Sequence, residues 1–380
     1  MRLKNFAKAL ILTALTTPVF ASSQDSDHSD SDHNEHTTSH QNDAVDTKEE
    51  IKSYIMHHLE DTYHFGIWDA AGISFPLPVI LLDEGLHVFS SSNFADDHGH
   101  HDGIAESNGK YYKIDHAKIY RTDAEGTLTY DSHHHATNVK PFDFSITKNV
   151  MMIIITGLLM LLLFRSLGKS YAANGGISKG VGRFLEPIVL YVRDDIARPN
   201  IGEKKYKKYL PFLLTIFFFV WFLNIFGLTP LGVNVTGNIA VTFALALLVF
   251  LFTNFTGTKD YWMHLFNPLG NAMPWYGKAV LYIILIPIEI LGIFIKPFSL
   301  MIRLYANMQA GHIVLMSLVG LIYIFGNMMG GSLSFLLAFA ISLIEVLVAL
   351  LQAYIFTMLA ALYFGFAAEE HEHHDEAHAH

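Results

Sequence analysis

The stretch Ser299-Leu-Met-Ile-Arg-Leu-Tyr-Ala-Asn-Met-Gln-Ala-Gly-His312 holds an arginine, Arg303, in the middle of an apolar run with no acidic residue within one helical turn. A guanidinium stays ionised under essentially all conditions and is costly at bilayer depth, so its presence there marks function. On a helix, Asn307 lies one turn beyond Arg303 and Lys296 two turns before it, while Glu289 falls within about 40° of the same face and roughly 21 Å away. The last apolar segment, Ile344-Glu-Val-Leu-Val-Ala-Leu-Leu-Gln-Ala-Tyr-Ile-Phe356, carries a second polar stripe, Glu345 and Gln352. Two apolar helices with polar stripes have the makings of a proton path.

Working outward, the pattern predicts an all-α polytopic membrane protein with five spans. These are residues 144–164, 210–231, 239–255, 278–325 and 333–366. The fourth region, at about 1.5 Å per residue, reaches roughly 70 Å against a hydrocarbon core of about 30 Å. It is expected to be tilted or curved and interrupted near Pro287 and Pro297. Residues 180–208 are too charged to cross, and Phe184 to Arg193 reads as an amphipathic helix at the membrane surface. Basic residues dominate that connection, which the positive-inside rule assigns to the cytoplasm together with the carboxy terminus.

The chain of 380 residues is 51% hydrophobic and 16% charged, and its net charge of −10 resides in its polar extensions. It has no cysteine, which excludes a disulfide framework, a thiol nucleophile and a thiolate metal site. Residues 1–21 read as a secretory signal: Arg2, Lys4 and Lys8, an apolar run too short to span, and Val19-Phe20-Ala21 as a cleavage site. This predicts export of the amino terminus across a bacterial inner membrane. Residues 22–50, rich in Asp, Ser and His, are expected to be disordered. Residues 51–141 read as a small periplasmic region with short strands broken by Gly and Pro. The transmembrane domain is expected over 142–368, followed by a His-rich cytoplasmic tail, 369–380. The histidine tracts at 97–102, 133–135 and 369–380 lack defined ligand spacing, so no metal or other cofactor is expected.

The runs Arg-Leu-Tyr-Ala-Asn-Met-Gln-Ala-Gly-His at 303–312 and Gln-Ala-Tyr-Ile-Phe at 352–356 closely resemble subunit a of the F-type ATP synthases, in the family's order and spacing. The resemblance places the family's essential arginine on Arg303, its asparagine on Asn307 and its later glutamine on Gln352. Glu289 and Lys296 also stand where the family has a glutamate and a basic residue. Many bacterial members carry Glu at the position of His312 and His at that of Glu345; the reciprocal exchange implies that these side chains meet. Gly227 stands where some members have a carboxylate, so no proton-handling role is assigned to it.

The family likeness implies a non-catalytic component that carries protons to and from carboxylates on a ring of c subunits, with the b subunits of a peripheral stalk and the lipid bilayer as further partners. It also implies a steeply inclined final hairpin against that ring. Proton translocation would fall to Arg303, His312, Glu345, Glu289, Asn307 and Gln352. Asn307 and Gln352 equally suit interhelical hydrogen bonding, and Lys296 suits snorkelling to the interface. The alternative, a self-contained channel or secondary transporter, calls for repeats or paired broken helices that the chain does not show. An independent ATPase is excluded at Gly168-Lys169-Ser170, where Leu163 replaces the first glycine of a phosphate loop and a membrane helix precedes it. No nucleic-acid partner is expected.

Overall fold

The computed structural model describes residues 60–68, 73–94, 103–132, 135–173, 175, 180, 182–229, 233–267, 275–325 and 328–369. The expected signal, the Asp/Ser/His-rich segment and the histidine tracts at 97–102, 133–134 and 371–380 lie outside them. All described residues belong to one compact unit, Thr47–His380.

Among the described residues eight short strands precede the α-helices: β1 (His64–Trp68), β2 (Ile73–Pro76), β3 (Pro78–Leu82), β4 (Leu86–Ser90), β5 (Ile104–Ser107), β6 (Lys110–Asp115), β7 (Lys118–Thr122) and β8 (Phe142–Asp143). They form three antiparallel sheets, β1-β2, β4-β3-β8 and β5-β6-β7. The β5-β6 turn is Asn108-Gly109, both at positive φ, the backbone that a two-residue hairpin turn demands. Val79, Leu81, Phe94, Ala105, Tyr112 and Ile119 form the small core. Tyr112 donates to the buried Asp83 carboxylate at 3.2 Å, and burial together with that negative charge pushes its phenol up to about 12.

The helices are α1 (Lys148–Ala173), α2 (Gly182–Tyr191), α3 (Arg198–Ile201), α4 (Tyr206–Gly227), α5 (Ile239–Thr256), α6 (Lys259–Phe266), α7 (Trp275–Phe325) and α8 (Met328–Ala368). Five of them, α1, α4, α5, α7 and α8, are long and apolar enough to cross a membrane. The chain is therefore a mostly helical polytopic membrane protein with a small strand-bearing N-terminal region. Contrary to the expected interruption, α7 runs without a break through Pro287 and Pro297. A proline deletes one ladder hydrogen bond, a loss that neighbouring groups in a membrane helix can absorb.

The strands are fixed to the helices at one end. Asp61 accepts from Thr147 Oγ1 at 2.9 Å and from the Asn149 amide at 3.1 Å, which caps the first turn of α1. Burial raises the Asp61 carboxyl above its ordinary range, partly offset by those donors. Phe65 and Leu77 then pack with Met152, Leu223, Val233 and Val235. At the opposite end Lys205 Nζ donates to the Ala368 carbonyl at 2.6 Å and the Thr258 amide to Ala367 at 2.9 Å, which satisfies the end of α8. Between α2 and α3 the helix widens into a π turn, Val192–Ala197, whose Val192, Ile196 and Ala197 are fully buried in the main helical core.

Candidate functional site

Arg303 lies midway along α7 and is exposed, as is Asn307 one turn later. Its surroundings on that face are apolar: Ile295, Phe298 and Ile302 are all more than half exposed. Leu300, Leu304 and Met308, which follow one another around the adjoining flank at roughly 60°, 100° and 140° from Arg303, are buried against the other helices. The 3.6-residue period thus sets Arg303 on the exposed side of α7, at its border with the packed flank. Among the described residues Arg303 forms no ion pair; its charge is felt at Tyr363 of α8.

His312, Glu345 and Gln352 are buried. The carboxylate of Glu345 sits directly over Gly311, the neighbour of His312, where any Cβ would run into it. Absence of a side chain on α7 therefore creates the seat for a carboxylate on α8. Oε2 of Glu345 is buried without a hydrogen-bond partner among the described residues, a costly state for an acid group unless something else engages it.

Several polar residues that the motif reading passed over join this group. Asn224 of α4, completely buried, donates to the Ala349 carbonyl at 3.3 Å and accepts from Thr236 Oγ1 at 2.7 Å. Asn234 reaches the Met308 carbonyl at 3.4 Å and Gln309 Oε1 at 3.5 Å. The signal that could have found Asn224 is the one that found Arg303, a polar residue inside an apolar helix. Asn234 and Thr236 lie in the connection between α4 and α5, where Asn234 caps a 3-10 turn, Val235–Gly237, and only the fold carries them to α7. Because Val233 and Val235 of that connection pack on Phe65 and Leu77, this polar group belongs to the strand-bearing end of the bundle.

Glu289 belongs to the other end. It is half-buried on α7, and its charge adds to burial in raising the Tyr261 phenol of α6. Tyr261 donates to Asn254 Oδ1 at 3.2 Å, and both line a cavity with Thr253, Lys296 and Tyr363. Lys296 Nζ lies 5.7 Å from the Tyr363 ring centroid and 5.6 Å from that of Phe366, a cation–π setting that holds it by α8. The polar groups thus divide in two along the helix axes, with Arg303 between them.

A model of the family described as ATP synthase A chain matches residues 150–365, and one described as a domain of unknown function matches residues 54–144. Among curated relatives, the chain is 42% identical over 243 residues to ATP synthase subunit a of Chloroherpeton thalassium, covering 63% of this chain and 71% of that one. It is 36% identical over 313 residues to ATP synthase subunit a 2 of Prosthecochloris aestuarii, covering 79% and 94% respectively. To ATP synthase subunit a of an Anaeromyxobacter species it is 33% identical over 337 residues, 86% of this chain and 73% of the relative.

Proposed function

The chain belongs to the ATP synthase A chain family, and from that membership we propose that it provides two offset half-channels carrying protons to and from carboxylates on a rotating c-ring. The observation that carries this reading is the division of polar groups about Arg303. His312, Glu345 and Gln352, with Asn224 alongside, form the path from the strand-bearing side, taken as periplasmic. Glu289, beside Tyr261 and Asn254, begins the path to the cytoplasm. Asn307 stands next to the arginine on the exposed face, where a ring carboxylate would pass.

On this account the ring carboxylate is protonated while it faces lipid and loses its proton on meeting Arg303, whose positive charge favours the ionised form. A permanent cation between two half-channels also repels a free proton and does not relay one itself. Protons then cross only by riding the ring. A buried imidazole and carboxylate in neighbouring positions can pass a proton near neutral pH, the role given to His312 and Glu345. The chain itself performs no bond-making chemistry. Its partners are the c-ring, the stalk b subunits and the rest of the synthase.

Because the chain contains no cysteine, single replacements report sidedness directly. In assembled complexes, Glu345→Cys is expected to react with a charged thiol reagent supplied only from the strand-bearing side, and Glu289→Cys only from the other. Reaction of both from the same side would refute the two-path arrangement.

A further inference from the structure

The β4-β3-β8 sheet departs from the usual alternation of an antiparallel sheet with one solvated face, being apolar on both faces. Its inner face buries Val79, Leu81 and His87, as expected. Its outer face, read from the register, sets Leu82 opposite both Leu86 and Phe142, and Ile80 opposite Val88. Pro78 lies on the same face of β3, and the Phe144 amide extends the pairing to Ile80 at 2.9 Å. Leu82, Leu86, Val88, Phe142 and Phe144 are 47%, 63%, 58%, 73% and 67% exposed. No charged side chain interrupts this face between Pro78 and Leu82 or between Leu86 and Ser90. A contiguous apolar face of this kind marks an interaction surface.

We propose that this outer sheet face rests on the lipid interface of the membrane, as an outward continuation of the lipid-facing side of α1. The chain supplies the continuity. Phe142 and Phe144 are exposed on one extended segment, half-buried Ile146 follows, and α1 begins two residues later with exposed Val150, Ile154, Ile155, Leu158, Leu161 and Leu162. No flexible linker intervenes: the Ile146 amide bonds to Pro78 at 3.1 Å and the Lys148 amide to Thr62 at 2.9 Å. The sheet is therefore held at the mouth of a membrane-crossing helix. Five strand residues extend only about 17 Å, which keeps the whole face near the headgroup layer if the sheet lies along it. Aromatic and aliphatic side chains without charge suit that layer's acyl boundary. The inference depends on α1 crossing the membrane and is independent of the proton-path assignments.

The test uses the assembled complex in vesicles of phosphatidylethanolamine and phosphatidylglycerol. Leu86→Cys, Val88→Cys and Phe142→Cys are each nitroxide-labelled, with Lys118→Cys on exposed β7 as the water-facing reference and unsubstituted complex as the blank. Paramagnetic relaxation by oxygen, which concentrates in lipid, is compared with relaxation by a water-soluble nickel complex. The expected oxygen-to-nickel ratio at the sheet positions is several-fold above that at Lys118→Cys. Ratios equal to the reference would overturn the proposal, as would shielding from both reagents, which would mean that a protein covers the face. The three positions report separately, and agreement of two decides.

Discussion

At the scale of single residues, the close approach of Glu345 to Gly311 is where the packing bears most directly on the proposed proton path. A methyl group at Gly311 would displace a buried carboxylate rather than a flexible surface tip. Gly311→Ala is therefore expected to slow proton-driven ATP synthesis while the complex still assembles, and Glu345→Asp, one methylene shorter, should recover part of that loss in the double variant. Coupling between contacting residues runs at about 0.5 to 3 kcal/mol, or roughly a 2- to 150-fold departure from additivity in rate. Strictly additive effects in a synthesis assay would show that the two positions act separately. Arg303, Glu345 and Gln352 are legible in the sequence because a charge or amide in an apolar helix is anomalous by itself. The part of Gly311 is not legible, since it consists of a missing side chain opposite a residue on another helix.

At the scale of elements, length and hydropathy reveal the five spans because a membrane helix needs an apolar run of the right size whatever its neighbours. The continuity of α7 is less legible. Pro287 and Pro297 locally favour a break, and the long apolar helix overrides them. The π turn at Val192–Ala197 is hidden for a similar reason, its register being set by burial of Val192 and Ile196 against distant helices. That packing is close enough to test. In α8, Gly365 meets the carbonyl of Asn200, and a Cβ there would strike backbone that cannot rotate away. Gly365→Ala is expected to destabilise the chain by about 1 to 3 kcal/mol, the usual cost of overpacking. Thermal inactivation should occur at lower temperature than in the parent. Gly157→Ala in α1, where nothing lies within 4 Å, is the matched neutral substitution; equal behaviour of the two would contradict the tight α8 contact.

At the scale of the whole molecule, two family models divide the chain much as composition does, one over the strands and one over the spanning helices. The strands cap and pack against the end of the bundle where Asn224, His312 and Glu345 gather, whereas Glu289 and Lys296 lie toward the end closed by Lys205 and Thr258. In the proposed function these parts meet at Arg303, the exposed cation between the two polar groups. As proposed, Arg303 both favours the ionised form of the ring carboxylate and keeps the two half-channels apart. The decisive measurement is ATP synthesis by inverted vesicles carrying Arg303→Ala under an imposed proton gradient, with assembly verified by the presence of the c-ring and the nucleotide-binding head. Synthesis is predicted to fall to background, with Arg303→Lys failing as well because a point charge that can lose its proton does not replace a planar, permanent one. Substantial coupled synthesis by the assembled alanine variant would contradict the account at its centre.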